Sequence, residues 1–269
     1  MAALRTIYTI WLREVKVFIR ERSRIVGMIG QPLLYLLIVG EGISAGMLLK
    51  DARGIDYLRF MYPGIIGMSV LFTSIFSALS IIWDREFGFL KEVLVAPVPR
   101  WAIAVGKICG GATVAMAQSL ILIALAPLVG IRLTPLIVIE LMVFCFLMSF
   151  AMTGLGVLIA ARMRSMQGFQ MLMNFLVMPL YFLSGAMFPI QSAPSWMKAL
   201  MTIDPLTYGV DALRNIVFSG TAGEDGVSLH QLAVSAELIR WDLSFDLAIL
   251  LLTAAILSST ASILFSAGE

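Results

Sequence analysis

Charge is scarce in this chain. Only 13% of its 269 residues are Asp, Glu, Lys or Arg, and the net charge is +2. That balance is too small to point to nucleic acid. His230 is the single histidine. Histidine-based metal sites and Ser-His catalysis therefore have almost no material to work with. The two cysteines, Cys109 and Cys145, both sit in apolar runs, where either can serve as a packing residue; neither suggests a disulfide or a metal site. No Gly-x-x-x-x-Gly-Lys-Ser/Thr occurs, so the chain carries no phosphate-cradling loop of its own. Gly106-Lys107 lacks both the upstream glycine and the following hydroxyl. No paired-carboxylate or Ser/His/Asp arrangement stands out, and no dense run of acids and bases resembles a proton relay. Long repeats, low-complexity tracts and a cleavable signal peptide are not expected.

What is present is hydrophobic: 60% of the residues. A soluble core of this length does not need that much apolar surface, so lipid is the expected solvent. A spanning helix needs about 20 largely apolar residues. Six such stretches are expected, at 25–49, 61–83, 102–131, 135–160, 169–190 and 245–265. Only Arg132-Leu-Thr-Pro135 separates the third from the fourth, and Pro135 suits a helix start, so a tight helical hairpin is expected. Basic residues set the orientation. Arg5, Arg13, Lys16, Arg20, Arg22 and Arg24 precede the first span. Arg85, Lys91 and Arg100 follow the second, and Arg162 and Arg164 follow the fourth. Acids such as Glu224, Asp225, Glu237 and Asp242 collect in the other connections. The positive-inside rule then places both termini in the cytoplasm and the segment 191–243 outside.

The N-terminal segment, 1–24, reads as an amphipathic helix. Leu4, Ile7, Trp11, Val15 and Phe18 share one side at about 100° per residue, with Arg5, Arg13, Lys16 and Arg20 near the other. Such a helix lies in the membrane surface; the alternative is a basic flank that only orients the first span. Gln31, Glu41, Gln118, Glu140 and Asn174 fall inside spans, where a charge costs about 2.5–3.5 kcal/mol on insertion scales. Glu41 and Glu140 project toward helix ends near water, which favours interfacial carboxylates. Gln31-Pro32 reads as a kink. Gly42-x-x-x-Gly46 and Gly106-x-x-x-Gly110 permit close helix contact, although glycine-rich spans give this pattern often by chance.

Two segments carry the functional expectations. The connection 84–100 reads as a short helix with Asp84, Arg85, Lys91 and Glu92 on one face and Phe87, Leu90, Val93 and Leu94 on the other, stopped by Pro97 and Pro99. It suits contact with a soluble partner, or else a plain interfacial helix. Glu86 projects onto the apolar side and needs a partner, because an unpaired buried carboxylate is costly. The second segment, 179–214, begins with an apolar run that ends at Leu183-Ser184-Gly185-Ala186. Phe188-Pro189, Pro194-x-Trp196, Asp204-Pro205-x-x-Tyr208 and Asp211-x-x-Arg214 follow. Two short helices starting at Pro194 and Pro205 and dipping into the outer leaflet are expected over 191–220. Asp204 would cap the second, worth about 1 kcal/mol.

The order of these rare dipeptides resembles the end of ATP-binding-cassette type 2 permeases, the membrane halves of a large exporter family. The connection 84–100 resembles the same family's arginine-glutamate-x-glycine run through Arg85, Glu86, Gly88, Leu90, Glu92, Pro97, Pro99 and Arg100, followed by Gly106-Lys107. Phe89 departs from the threonine often found there. The resemblance implies an all-α membrane protein with six transmembrane helices, an N-terminal interfacial helix, a cytoplasmic coupling helix and outward re-entrant helices before the last span. All of this forms a single permease domain over 1–269. It further implies a separate ATPase subunit that binds ATP and Mg, contacting Arg85, Glu86, Gly88, Leu90, Glu92, Pro97 and Arg100. The outward motif is Ser184, Gly185, Phe188, Pro189, Pro194, Trp196, Pro205, Tyr208, Asp211 and Arg214. A second permease copy, a plasma (inner) membrane location and export of an amphipathic or lipid-like cargo (drug, lipid, glycolipid or polysaccharide) are implied in the same way. The competing class is a secondary transporter or channel driven by an ion gradient. An intramembrane enzyme is the poorer alternative for want of catalytic residues.

Overall fold

The computed structural model describes residues 2–40, 57–88, 95, 97–219, 230, 234 and 238–267. The described residues are helical apart from turns and connections. Helix α1 (Ala2–Arg20) is followed after one residue by α2 (Arg22–Leu34), which runs into a π-helical turn, Tyr35–Gly40. Helices α3 (Tyr57–Ser77) and α4 (Leu79–Glu86) are separated by Ala78 alone. Then come α5 (Arg100–Leu125), α6 (Pro135–Ala160), α7 (Met166–Leu183), α8 (Ser195–Ile203), α9 (Pro205–Ser219) and α10 (Leu243–Ala267).

Five stretches among the described residues are long and apolar enough to cross a membrane: Leu58–Glu86, Arg100–Val129, Pro135–Ala160, Met166–Leu183 and Leu243–Ala267. The first expected span, 25–49, coincides with α2 and its π-helical turn, and its remainder lies outside the described residues. Pro32 sits inside α2, three residues before the change to π geometry. Helix α6 occupies the middle, packed against α3, α5, α9 and α10. Its start follows from Thr134, whose hydroxyl accepts the Ile137 N–H at 3.4 Å, with Pro135 in the first turn. A 3-10 turn, Ala126–Val129, and left-handed Gly130 close the hairpin between α5 and α6.

Three expected boundaries are corrected. The fifth span does not run to 190 but ends at Leu183, because Gly185 takes φ +73°, a conformation open to glycine at little cost. The second span extends past 83 to Glu86. The expected separate helix from Asp84 to Pro97 is therefore broken: Asp84 and Arg85 close the span, and Gly88 at φ +82° turns the chain away. Leu90, Glu92 and the rest of 89–94 lie outside the described residues, as do Glu41, Gly42, Gly46, Glu224, Asp225 and Glu237.

Helix α1 is a helix of its own, and it rests on the α5 groove formed by Gly106 and Gly110. A Cβ at Gly106 would meet the Ile10 Cβ at 2.8 Å, and one at Gly110 would meet the Glu14 Cβ at 2.6 Å. The small-residue pair thus brings α1 into near-backbone contact with α5. Trp11 adds a hydrogen bond from its indole N–H to the Thr113 hydroxyl at 2.9 Å.

Candidate functional site: two polar ends of one helix bundle

At the end that carries α1, charge is gathered in two places. Asp84 is buried and accepts a two-pronged hydrogen bond from Arg13, at 2.5 and 2.8 Å. Lys107, whose side chain is 3% exposed, bridges Asp84 at 2.5 Å and Glu14 at 2.6 Å. The Ser80 hydroxyl lies 3.1 Å from the same ammonium. Two cations face two carboxylates, so the cluster is neutral as a unit and each buried charge has an opposite neighbour. The hydrogen bond to Asp84 holds the Arg13 guanidinium above its ordinary range. Arg13 was expected on the outer basic face of α1 with Arg5, Lys16 and Arg20. Instead it turns inward, because Asp84 at the end of α4 otherwise lacks a sufficient counter-charge.

Arg85 does different work. Its guanidinium donates to the carbonyl oxygens of Ala160 at 3.2 Å, Ala161 at 3.1 Å and Met163. These are among the carbonyls a helix leaves unpaired where it ends, and a cation there also meets the negative end of the helix dipole. Arg100 does the same at longer range for α10, donating to the Ser266 carbonyl at 3.5 Å. Glu86, the last residue of α4, is exposed, and Phe87 beside it is 79% exposed. Leu90, Val93 and Leu94, the other residues of the apolar side on which Glu86 was expected, lie outside the described residues. Pro97 is exposed as well, and Pro99 precedes the first turn of α5. The structure thus brings Arg85 and Arg100 to two span ends and leaves Glu86, Phe87 and Pro97 outward.

The opposite end is stitched together by α9. Asp204 caps it through the Leu206 N–H at 2.9 Å, and Pro205 opens the helix, as expected. Burial pushes the Asp204 carboxyl up to about 7. Arg214, only 1% exposed, donates to the Gly185 carbonyl at 2.9 Å and the Leu238 carbonyl at 3.3 Å, and its guanidinium lies 4.2 Å from the centre of the Phe60 ring. Asp211 accepts from the backbone N–H groups of Arg240 and Trp241, at 3.1 and 3.0 Å, and burial raises its pKa. The Tyr208 hydroxyl donates to the Thr202 carbonyl at 2.7 Å, and its ring packs on Trp241 and Phe245. Ser184 donates to the Tyr181 carbonyl at 2.6 Å and accepts from the Ala186 N–H at 3.3 Å.

Ser184, Gly185, Tyr208, Asp211 and Arg214 are therefore brought together as a brace joining the end of α7, the start of α3 and the approach to α10. Phe188 packs with Ile190, Ala193 and Met201 in a small separate cluster. Pro189 and Pro194 flank the 3-10 turn and α8, and Trp196 points outward, 66% exposed.

The ionic cluster was missed in the sequence. Asp84 was read as part of a solvated face and Glu14 was not singled out. The available signal was a lone charge of each sign at the edge of otherwise apolar helices, which demands a partner. Asp246 was also missed: it is fully buried near the start of α10, with neither carboxylate oxygen hydrogen-bonded. Among the described residues no group of three metal-ligating side chains converges.

This is a bundle of apolar helices with one charged end and one braced end, and the sequence profile of the ABC-2 type transporter family matches residues 5–218. The chain belongs to the ABC-2 type transporter family. It is similar to the "Putative transport permease ycf38" of Cyanophora paradoxa, at 30% identity over 74% of this chain and 70% of that protein. It is also similar to the "Inner membrane transport permease YadH" of Escherichia coli K12, at 26% identity over 77% and 80%. A third relative is the "Probable multidrug ABC transporter permease YbhR" of the same organism, at 28% identity over 60% of this chain and 44% of that protein. As an ABC-2 permease the chain is a membrane subunit without a catalytic centre of its own. Family membership implies a companion ABC ATPase.

Proposed function

We propose that this chain forms the membrane half of an ATP-driven exporter for an amphipathic or lipid-like cargo. Two copies pair, each meets a separate ATPase, and the complex sits in the plasma (inner) membrane with both termini in the cytoplasm. The observation that carries the proposal is the contact end of the family-matched bundle. Arg85 fastens the end of α4 to the end of α6, while Arg13 and Lys107 fasten α4 to α1 and α5. A push on the adjoining turn, Phe87–Gly88, is thereby passed to four helices rather than absorbed by one. Exposed Glu86 and Phe87 offer the ATPase a charge and an apolar ring at that point. Leu90 and Glu92 extend the same contact in this proposal. At the other end, the Asp211–Arg214 brace supports a lid over the conduit, with α8 and α9 seated in the outer leaflet.

The test is transport in vesicles with the purified ATPase present. Efflux that requires ATP and survives collapse of the ion gradients supports the proposal. Efflux that follows an ion gradient without ATP rejects it in favour of a secondary transporter or channel.

A further inference from the structure

Met28 stands four residues before Pro32 in α2, so the backbone N–H that would serve its carbonyl is the one proline lacks. The proline ring also crowds that carbonyl. In an apolar span an unserved carbonyl has no water to turn to and needs another donor. The donor is on α5: the Gln118 side-chain amide donates to the Met28 carbonyl at 2.7 Å. A carbonyl only accepts, so the amide nitrogen must face it, which leaves the Gln118 oxygen to accept in turn. Thr73 on α3 donates to that oxygen. Gln118 is 5% exposed and Thr73 is 9% exposed, and both lie within apolar spans. Two hydrogen bonds thus run in sequence from α3 through α5 to α2.

Among the described residues, little else holds α2 to this wall. It packs lightly on α3 and α5, far less than α6 does on α10. A cavity of about 460 Å³ stands between them, with Gly27, Gln31 and Pro32 on one side and Met68 and Phe72 on the other. Val26 and Leu34 of α2 are exposed. Where α2 meets a void instead of close-packed side chains, dispersion contacts contribute little and a directional bond sets the position. A side-chain bond also differs from the peptide bond it replaces. It can be released without unwinding α5 or α3, whose own backbone pairs stay closed.

We propose that Gln118 is the latch of α2: a positioning residue on α5 that stands in for the missing Pro32 N–H and fixes where α2 lies across the cavity. Thr73 holds the Gln118 amide in the orientation that the Met28 carbonyl requires. The proposal concerns this chain alone and is tested without an ATPase, so its outcome is independent of the exporter reading, which ATP dependence decides.

Gln118→Met keeps the side-chain length and removes both hydrogen bonds. In the full chain in nanodiscs it should lower the unfolding temperature by about 3 °C or more. Pro32→Ala supplies an N–H that can serve Met28 within α2. In that background Gln118→Met should cost less than half as much. Equal costs in the two backgrounds mean that Gln118 only fills space, and overturn the latch. Position is read by double electron–electron resonance, with spin labels at Leu34→Cys on α2 and Ile256→Cys on α10, both exposed sites. The chain carries Cys109→Ala and Cys145→Ala and is diluted with unlabelled chain, so that only pairs within one copy are read. Gln118→Met should broaden the distance distribution to at least twice its width, and adding Pro32→Ala should narrow it again. An unchanged distribution in Gln118→Met overturns the proposal. Should Gln118→Met fold poorly, Thr73→Val frees the amide from its holder and should broaden the distribution in the same way; no broadening there overturns it equally.

Discussion

Lys107 and Asp204 show how much a single polar side chain can decide in an apolar protein. Removing Lys107 leaves Asp84 and Glu14 to share Arg13. Breaking a buried ion pair commonly costs about 3–5 kcal/mol, because the remaining charge is uncompensated. Lys107→Met should therefore lower the unfolding temperature in detergent markedly. Adding Asp84→Asn leaves Glu14 and Arg13 as a balanced pair and should recover most of the loss. A double variant no more stable than the single one would show that the cluster is not acting as a charge balance. Asp204 permits a cleaner pH test. Its carboxyl stands at about 7 in the folded chain against an ordinary 3.8, raised by burial. Below that ordinary value it is protonated folded and unfolded alike. As pH rises toward 7 the unfolded chain loses the proton first, so stability falls, by at most about 1.4 kcal/mol per pH unit. Above 7 the loss is complete. Asp204→Asn keeps a good cap without the titration. Its unfolding temperature should be flatter between pH 4 and 7, and higher than wild type at pH 8.

At the scale of elements, the seating of α1 is the feature most open to disruption. Its contact with α5 depends on there being no side chain at Gly106 and Gly110. Gly106→Val should force α1 off, since overpacking costs about 1–3 kcal/mol and α1 is a single amphipathic helix at the margin of the bundle. With Cys109→Ala and Cys145→Ala as background, a reporter at Ile10→Cys is buried in the native seat. Maleimide should label it slowly until Gly106→Val is added. Unchanged labelling would mean that α1 is held by the ionic cluster alone. The turn after α4 behaves differently. Glu86 and Phe87 face outward, so Glu86→Ala should leave the helices folded while weakening recovery of the ATPase and uncoupling hydrolysis from transport. Glu92→Ala serves as the comparison. A Glu86→Ala protein that transports like wild type places the contact elsewhere.

For the whole molecule, large apolar surfaces remain uncovered. Met171, Phe175, Met178 and Phe182 are exposed along α7, and Leu251, Leu252, Ile256 and Ile263 along α10. Lipid or another helix must cover faces of this size. If a second copy covers part of them, mass measurement in nanodiscs should find two permease chains and two ATPase chains. A single permease copy with full transport would refute the pairing.

The spans were legible because lipid imposes one strong rule: about 20 apolar residues must pair their own backbone, and only a helix does so within one segment. The helix starts at Pro135 and Asp204-Pro205 were legible for a related reason. Helix starts and caps are local, so the residues that form them are neighbours in sequence. Which distant charges meet is not local. Arg13 and Asp84 stand 71 residues apart, and nothing near either one names the other. The Gly106-x-x-x-Gly110 pattern was visible but ambiguous, since many glycine pairs in spans contact nothing in particular. Only packing showed that α1 fills it. Local composition and caps were enough to place five apolar spans and to point to the family. How the helix ends are tied follows from packing alone, because desolvated charges choose partners by what folding brings within reach, not by spacing along the chain.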